Sequence, residues 1–479
     1  MTPKRHCHQE FSFPLQQIPQ HLPFILYQIV KMLGMRLLHL SDIHFRSPDC
    51  ETLATDSNQP YRTLLTQDVV DLCRDGGTVD AILVGGDIAY RGAPTEYKAA
   101  RTWLLELASQ CGCRPEGIYV VPGNHDVDQG ICATSLAISN AQDAIATALE
   151  DARESVMKRQ LADADVGQSL FRPLTAYNEF AASFDCSVYP GLPFWTDELE
   201  LGEGVRLRLF GLTSTLISGL GERDKVPGRL YLGRLQTVLN PEPNVVNLVL
   251  CHHPPSWFID KDGTDDNVNS RAKLQFFGHE HRQRCTPTPA YMRFQAGAVN
   301  PDAHEREWKP GYNLLDVKVS GEGMERTLDV CAYVRHFQNA PEMFVPLRQD
   351  RYQEVWTHSM ALQHQAPLKV SAAAVINPMP PYQATKVAEA AHAVAIASVP
   401  TEAKSEVKMQ GPSMRNLIYR FWQLSISERR EITLKLGLIT DADLLVLEPE
   451  RYKKAFKEAA ARGVLVELAN EIERVENSH

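Results

Sequence analysis

The sequence predicts a layered α/β domain followed by a small all-α bundle, and three observations carry that prediction. Short β-rich runs alternate with helical stretches from residue 35 to about 340. An Ala-, Val- and Pro-rich stretch at 365–410 then breaks the pattern and reads as a linker. From 411 to 479 only helical periodicity is left. A chain of 479 residues has room for several units of roughly 150 residues each.

Taken in order, RLLHLSD (36–42) reads as a first strand opening at Met35. Residues 1–34 are then an extension, or the product of an early start codon. PYRTLLTQDVVDLCRDGG (60–77) is helical in period and stops on Gly76-Gly77. DAILVGGD (80–87) is the second strand, and TEYKAARTWLLELASQCG (95–112) the second helix, with Thr95 as its expected N-cap. GIYVVPGNHD (117–126) is the third strand, and residues 131–185, rich in Ala, Asp and Glu, read as a helical insertion. VRLRLFGL (205–212), VVNLVLCHH (245–253), LQFFGH (274–279), MRFQAG (292–297) and YNLLDVKV (312–319) complete the strands of a first unit spanning 35–364. In the C-terminal unit, Ser425 with Glu428 and Thr440 with Asp443 have capping-box spacing, and Gly463 breaks the last helical run.

Hydrophobic residues make up 44% and charged residues 23%, the composition of an ordinary globular protein. A net charge of −10 argues against a protein that coats nucleic acid regardless of sequence, but leaves a local basic groove open. Ten cysteines contain no C-x-x-C pair and read as reduced, mostly buried thiols of a cytosolic protein. HLPFILYQIV (21–30) is too short to span a bilayer, so neither a secretion signal nor a membrane span is expected.

Five of the apolar runs end in metal-ligand side chains. The clusters are Asp42-x-His44, Gly86-Asp87, Gly123-Asn124-His125-Asp126, His252-His253-Pro254 and Gly278-His279-x-His281. In open α/β sheets, sites form where loops converge at the carboxyl ends of strands. Each triplet alone is as well explained by a surface turn; five in succession at strand ends are not. Carboxylate, imidazole and amide oxygen suit Mn, Fe, Zn or Co, and the lack of cysteine speaks against a structural zinc site. Two divalent ions sharing a carboxylate would use all seven ligand groups, with His279 and His281 serving different ions. Cys251 reads as a buried strand residue, Trp257 as either pocket wall or core, and Arg282 and Arg284 as solvated loop charge.

D-x-H, G-D, G-N-H-D, H-x-P and G-H-x-H, in that order over about 35–340, resemble the calcineurin-like metallophosphoesterase superfamily. The resemblance implies a layered β-sandwich flanked by helices. It implies that Asp42, His44 and His281 hold one metal, that Asn124, His252 and His279 hold the other, and that Asp87 bridges them. His125 would contact the phosphate and assist the leaving group, with Asp126 orienting it. The family pattern places the ligand two residues before the proline, hence His252 rather than His253. GDIAYRGAPTEY is closer to the branch resembling cyclic-nucleotide phosphodiesterases than to the G-D-x-V-D-R-G and G-N-H-E of protein phosphatases; the repair-nuclease branch shares G-N-H-D. The expected function is a two-metal phosphodiesterase acting on a nucleotide or nucleic acid. The alternatives are a phosphomonoesterase or protein phosphatase, and a catalytically silent binding protein. MRNLIYRFWQLSISERREITLKLGLI (414–439) is similar to helical adaptor domains appended to effectors of bacterial defence systems. That implies a protein partner, or self-association, through 411–479; the bland reading is a bundle packed back on the catalytic domain.

Overall fold

The computed structural model describes residues 34–219, 223–300, 309–362 and 413–478. Residues 1–33 and the linker expected at 365–410 lie outside the described residues. The described part opens with β1 (Gly34–Leu40), α1 (Gln59–Gly76), β2 (Ala81–Val84), α2 (Pro94–Cys111) and β3 (Ile118–Val120). The three strands run parallel side by side. β2 and β3 are buried throughout and β1 is buried after its first residue, as parallel strands covered on both faces are. Gly77, at φ 87°, closes α1 as expected. The N-cap of α2 is Ala93 rather than Thr95. Pro94 takes the first helical position, where its missing N–H costs nothing, and Glu96 reaches back to accept the Ala93 N–H at 3.0 Å.

Five short helices follow: α3 (Gln129–Thr134), α4 (Leu136–Ala146), α5 (Glu150–Ala162), α6 (Ala164–Phe171) and α7 (Thr175–Ala181). The second half contains β4 (Phe194–Gly202), β5 (Val205–Leu212), β6 (Val245–Cys251), α8 (Lys261–Arg271), β7 (Leu274–Phe277), β8 (Arg284–Pro287) and β9 (Met292–Gln295). It closes with β10 (Gly311–Ser320), β11 (Thr327–Asn339), β12 (Glu342–Pro346) and β13 (Trp356–Ala361). One sheet has the order β12-β11-β10-β1-β2-β3, with β13 also on β11; the other runs β4-β5-β6-β7-β9-β8. Both are mixed sheets flanked by helices, as expected. Of the thirteen strands among the described residues, β4, β8, β11, β12 and β13 were not anticipated. A single hydrophobic core runs through both sheets; Phe276 of β7 stacks on Phe294 of β9 and meets His39 of β1 edge-on at 4.8 Å. The topology makes β1, β2 and β3 neighbours in one sheet and β6 and β7 neighbours in the other. Their carboxyl ends therefore deliver all five ligand clusters to one place.

The C-terminal unit consists of α9 (Met414–Gln423), α10 (Ile426–Lys435), α11 (Glu448–Arg462) and α12 (Leu465–Glu476) around its own core of Phe421, Ile432, Tyr452, Phe456 and Ile472. Ser425 and Glu428 form the expected capping box of α10. Thr440 and Asp443 form one too, but it heads a short 3-10 turn, Asp441–Leu445. The bundle packs against the first unit. Arg415, on α9, donates to the carbonyls of Glu116 and Ile118 at 2.8 Å each, lies 4.0 Å over the Tyr119 ring and sits 3.6 Å from Asp197. Lys453 of α11 bonds the Asp185 carbonyl and side chain, both at 3.1 Å. β3 is an edge strand, and unpaired edges invite foreign strands. Here side chains cover it: Arg415 takes the carbonyl of Ile118, while Tyr177 and Trp195 donate to that of Val120.

Candidate metal centre

Each ligand cluster follows directly on a buried strand, where the chain turns sharply. Asp42, His44, Asp87, His279 and His281 all have positive φ, between 49° and 69°. That region is costly for any residue but glycine, and such strain gathers at functional sites. The glycines of two motifs permit the close approach. A Cβ on Gly123 would lie 2.1 Å from the Asp87 carboxylate, and one on Gly278 2.0 Å from the Ser41 hydroxyl.

The seven expected metal-ligating residues meet in one buried cluster. Asp42, His44 and His281 present ligand atoms within 4.8 Å of one another, and so do Asp42, Asp87 and His252. The Asp87 carboxylate lies 3.3 Å from His44 Nε2 and 3.3 Å from His252 Nε2, so it stands between the two expected sets. On one side, His281 Nε2 is 3.1 Å from Asp42 Oδ1. On the other, the Asn124 amide oxygen is 3.1 Å from His252 Nε2 and 2.9 Å from His279 Nδ1. Backbone carbonyls fix the outer nitrogens: Nδ1 of His252 lies 2.8 Å from the Gly85 carbonyl and Nδ1 of His44 lies 3.2 Å from that of Asn300. A carbonyl only accepts, so each Nδ1 carries a proton and each Nε2 is turned into the cluster, the orientation a metal-ligating histidine requires.

The electrostatics agree with a site for cations. Burial works against the Asp42 carboxylate, but the imidazoles of His281 and His252 outweigh it and hold the group well below the usual carboxylate range. Asp87 is likewise held low against burial, by His252, His125 and His44. Burial opposes a charge on His252, yet Asp87, Asp42 and the Gly85 carbonyl raise it to about 9. His279, pressed by burial and by His252, falls to about 3. Two carboxylates, one amide oxygen and four inward-facing imidazoles fit a pair of divalent ions of the Mn, Fe, Zn or Co type.

The structure redistributes several roles among the neighbours. His253 lies behind the ligand set: its Nδ1 is 2.8 Å from the Ser214 hydroxyl, and its ring is 4.3 Å from that of His279. Asp126, expected to orient His125, bonds elsewhere. Its carboxylate accepts the N–H groups of Gly123, Ile88 and Ala89 and the Tyr97 hydroxyl. Burial and Asp87 push it up to about 6. The His125 ring is set instead by the Tyr90 carbonyl, 2.9 Å from Nδ1, and by the stacked Tyr90 ring at 4.9 Å. Trp257 is nearly buried and meets His279 edge-on at 4.0 Å. Cys251 is buried, which raises its thiol to about 12 and leaves it unsuited to nucleophilic attack. Asn300 and Tyr90 lie outside the expected set. An aromatic residue in the same loop as Asp87 was a usable sign of Tyr90, whereas the backbone carbonyl of Asn300, which accepts from His44 Nδ1, leaves no trace in sequence.

The family model described as calcineurin-like phosphoesterase matches residues 35–283, just over half of the chain. The chain belongs to that family. That family normally carries a dinuclear divalent metal site, which supports metal-dependent hydrolysis of phosphoesters. Residues 413–474 match a second model, described as GTPase-associated adaptor domain, consistent with a protein-interaction role. An uncharacterized metallophosphoesterase-like protein, YydB of Bacillus subtilis (strain 168), is 28% identical over 102 residues, which is 21% of this chain and 20% of that protein. Among solved structures, Vacuolar Protein Sorting 29 from Cryptosporidium parvum is similar with a TM-score of 0.28 at 12% identity, over 69% of this chain and 100% of that one. A putative 5'-nucleotidase from Staphylococcus aureus gives 0.33 at 12% identity, over 66% and 55% of the two chains. Among the described residues no helix is long and apolar enough to cross a membrane, and no disulfide is formed.

Proposed function

We propose that this phosphoesterase is a two-metal phosphodiesterase acting on a nucleotide or nucleic-acid phosphodiester. The observation that carries the reading is Asp87, placed 3.3 Å from an imidazole of each ligand set. Asp42, His44 and His281 would hold one ion, Asn124, His252 and His279 the second, with Asp87 shared. When bound, two such ions supply the Lewis acidity and the lowered water pKa that in-line phosphoryl displacement needs. The rest falls to the chain's own side chains. With Nδ1–H donated to the Tyr90 carbonyl, His125 keeps Nε2 free at the edge of the cluster. A proton on that Nε2 can pass to the departing ester oxygen. Asp126, through three backbone N–H groups, pins the loop that carries Asn124 and His125.

The C-terminal module is read as an adaptor that binds a protein partner or a second copy through 413–474, as in effectors of bacterial defence systems, in the cytosol. The test is hydrolysis of bis-p-nitrophenyl phosphate beside p-nitrophenyl phosphate with Mn²⁺, for the wild type and Asp87→Asn. Diester cleavage that vanishes in the variant supports the reading. Preference for the monoester would replace it with a phosphomonoesterase, and metal binding without turnover of either would replace it with a binding protein.

A further inference from the structure

The loops after β1 and β2 are zipped together: Phe45 N–H bonds the Ile88 carbonyl and Tyr90 N–H bonds the Phe45 carbonyl, each at 3.0 Å. This brings Arg46 and Tyr90 side by side at the edge of the metal cluster. The Arg46 guanidinium lies 3.7 Å above the centre of the Tyr90 ring. That ring is stacked on His125 at 4.9 Å and stands edge-on to His44 at 5.9 Å. Arg46 is exposed, and its side chain meets no carboxylate among the described residues. A second exposed guanidinium, that of Arg91, is 5.9 Å from the same ring. In a chain of net charge −10, cations gathered at the rim of an anion-processing site raise the local concentration of polyanions.

Stacking fixes the plane of Arg46 while leaving its N–H edge free, and that edge matches two oxygens of a phosphate. We infer that Arg46, held on Tyr90, binds a second phosphate of the substrate, one nucleotide beyond the scissile bond on the leaving-group side. The substrate is then a nucleic-acid strand rather than a cyclic mononucleotide, which has no second phosphate to offer. The side follows from His125: Tyr90 supports Arg46 and also the imidazole proposed to meet the departing oxygen. The inference rests on the phosphodiesterase reading above.

The experiment compares kcat/KM for bis-p-nitrophenyl phosphate, 3′,5′-cyclic AMP, the thymidine dinucleotide dTpdT, and that dinucleotide with a further 5′- or 3′-phosphate. The wild type is expected to favour one phosphate-bearing dinucleotide over dTpdT by tenfold or more. Arg46→Gln is expected to collapse that ratio, chiefly through KM, and Arg46→Lys to recover part of it. The salt dependence of 1/KM for the phosphate-bearing dinucleotide should flatten in Arg46→Gln by about 0.7 in log–log slope, as for the loss of one phosphate contact on a single strand. An unchanged ratio in Arg46→Gln, or a wild type that does not distinguish the dinucleotides, overturns the inference while leaving the phosphodiesterase standing. A wild type that cleaves no diester removes both. Thermal melting shows that each variant is folded.

Discussion

At the amino end of β3 a guanidinium is buried; beyond the carboxyl ends of its sheet neighbours β1 and β2 two carboxylates are. Arg415 is buried between the two units of the chain, but Glu116, Ile118, Tyr119 and Asp197 all face it with oxygen or a ring. The chain itself answers that charge, and the result is a fixed joint. Asp42 and Asp87 are 0% and 1% exposed, and their side-chain neighbours are imidazoles, one of them raised to about 9 by these same carboxylates. Isolated charges out of water cost many kcal/mol unless paired. Imidazoles whose Nε2 atoms turn inward act as ligands once a cation displaces their proton, and a divalent cation can answer the charge there. One region answers its buried charge with protein, and the other is arranged to receive a metal. The first is a structural joint and the second a candidate functional site, though both are built on the same sheet.

Asp87→Asn should break the metal region most deeply. Removing the negative charge of the group proposed to be shared is expected to lower diester turnover by roughly 10³-fold, about 4 kcal/mol of transition-state stabilisation. Steady-state kinetics and metal content check it, and full activity in the variant would defeat the shared-ligand assignment. Arg415→Met should break the other region. It strips two carbonyls of their donor, and losing one member of such a buried arrangement costs about 3 kcal/mol or more. The expected outcome is release of the 413–478 bundle, read as two melting transitions in place of one and as faster proteolytic cutting between the units. A single transition at the wild-type temperature would show that the joint does not depend on Arg415.

Metal addition should tell the regions apart. Divalent cation at a hundred times its Kd stabilises the form that binds it by about 2.7 kcal/mol. That increment, measured by melting with and without Mn²⁺ after chelation, is expected to persist in Arg415→Met and to shrink in Asp87→Asn. Equal loss in both variants would mean that the bundle and the metal centre form one cooperative unit.

The same contrast explains what the sequence disclosed. The convergence of the candidate ligands was legible because each cluster is contiguous and follows a buried strand; it needs only the strand order β1-β2-β3 beside β6-β7. Asp126 misled because neighbours in a tight turn point different ways, and three backbone amides capture its carboxylate. The Arg415 joint was illegible: it links residues about 300 positions apart and is read by backbone carbonyls, which leave no pattern. Residues 327–339 do alternate as a strand should, but nothing in them shows that β11 pairs with β10, β12 and β13 at once.

The smallest effect sharpens the comparison furthest. Ser425 caps α10 by accepting the Glu428 N–H, while Glu428 accepts the Ser425 N–H at 2.7 Å. Ser425→Ala should cost the bundle about 1 kcal/mol. The bundle has its own core of Phe421, Ile432, Tyr452, Phe456 and Ile472, and the Ser425 side chain bonds Ser427 and Glu428 within that bundle. The loss should therefore add to that of Arg415→Met within about 0.5 kcal/mol, as for independent sites. A double variant whose bundle is unfolded at ambient temperature would show the opposite. The joint on β3 would then be holding the adaptor together as well as holding it in place, and detaching it would be equivalent to unfolding it.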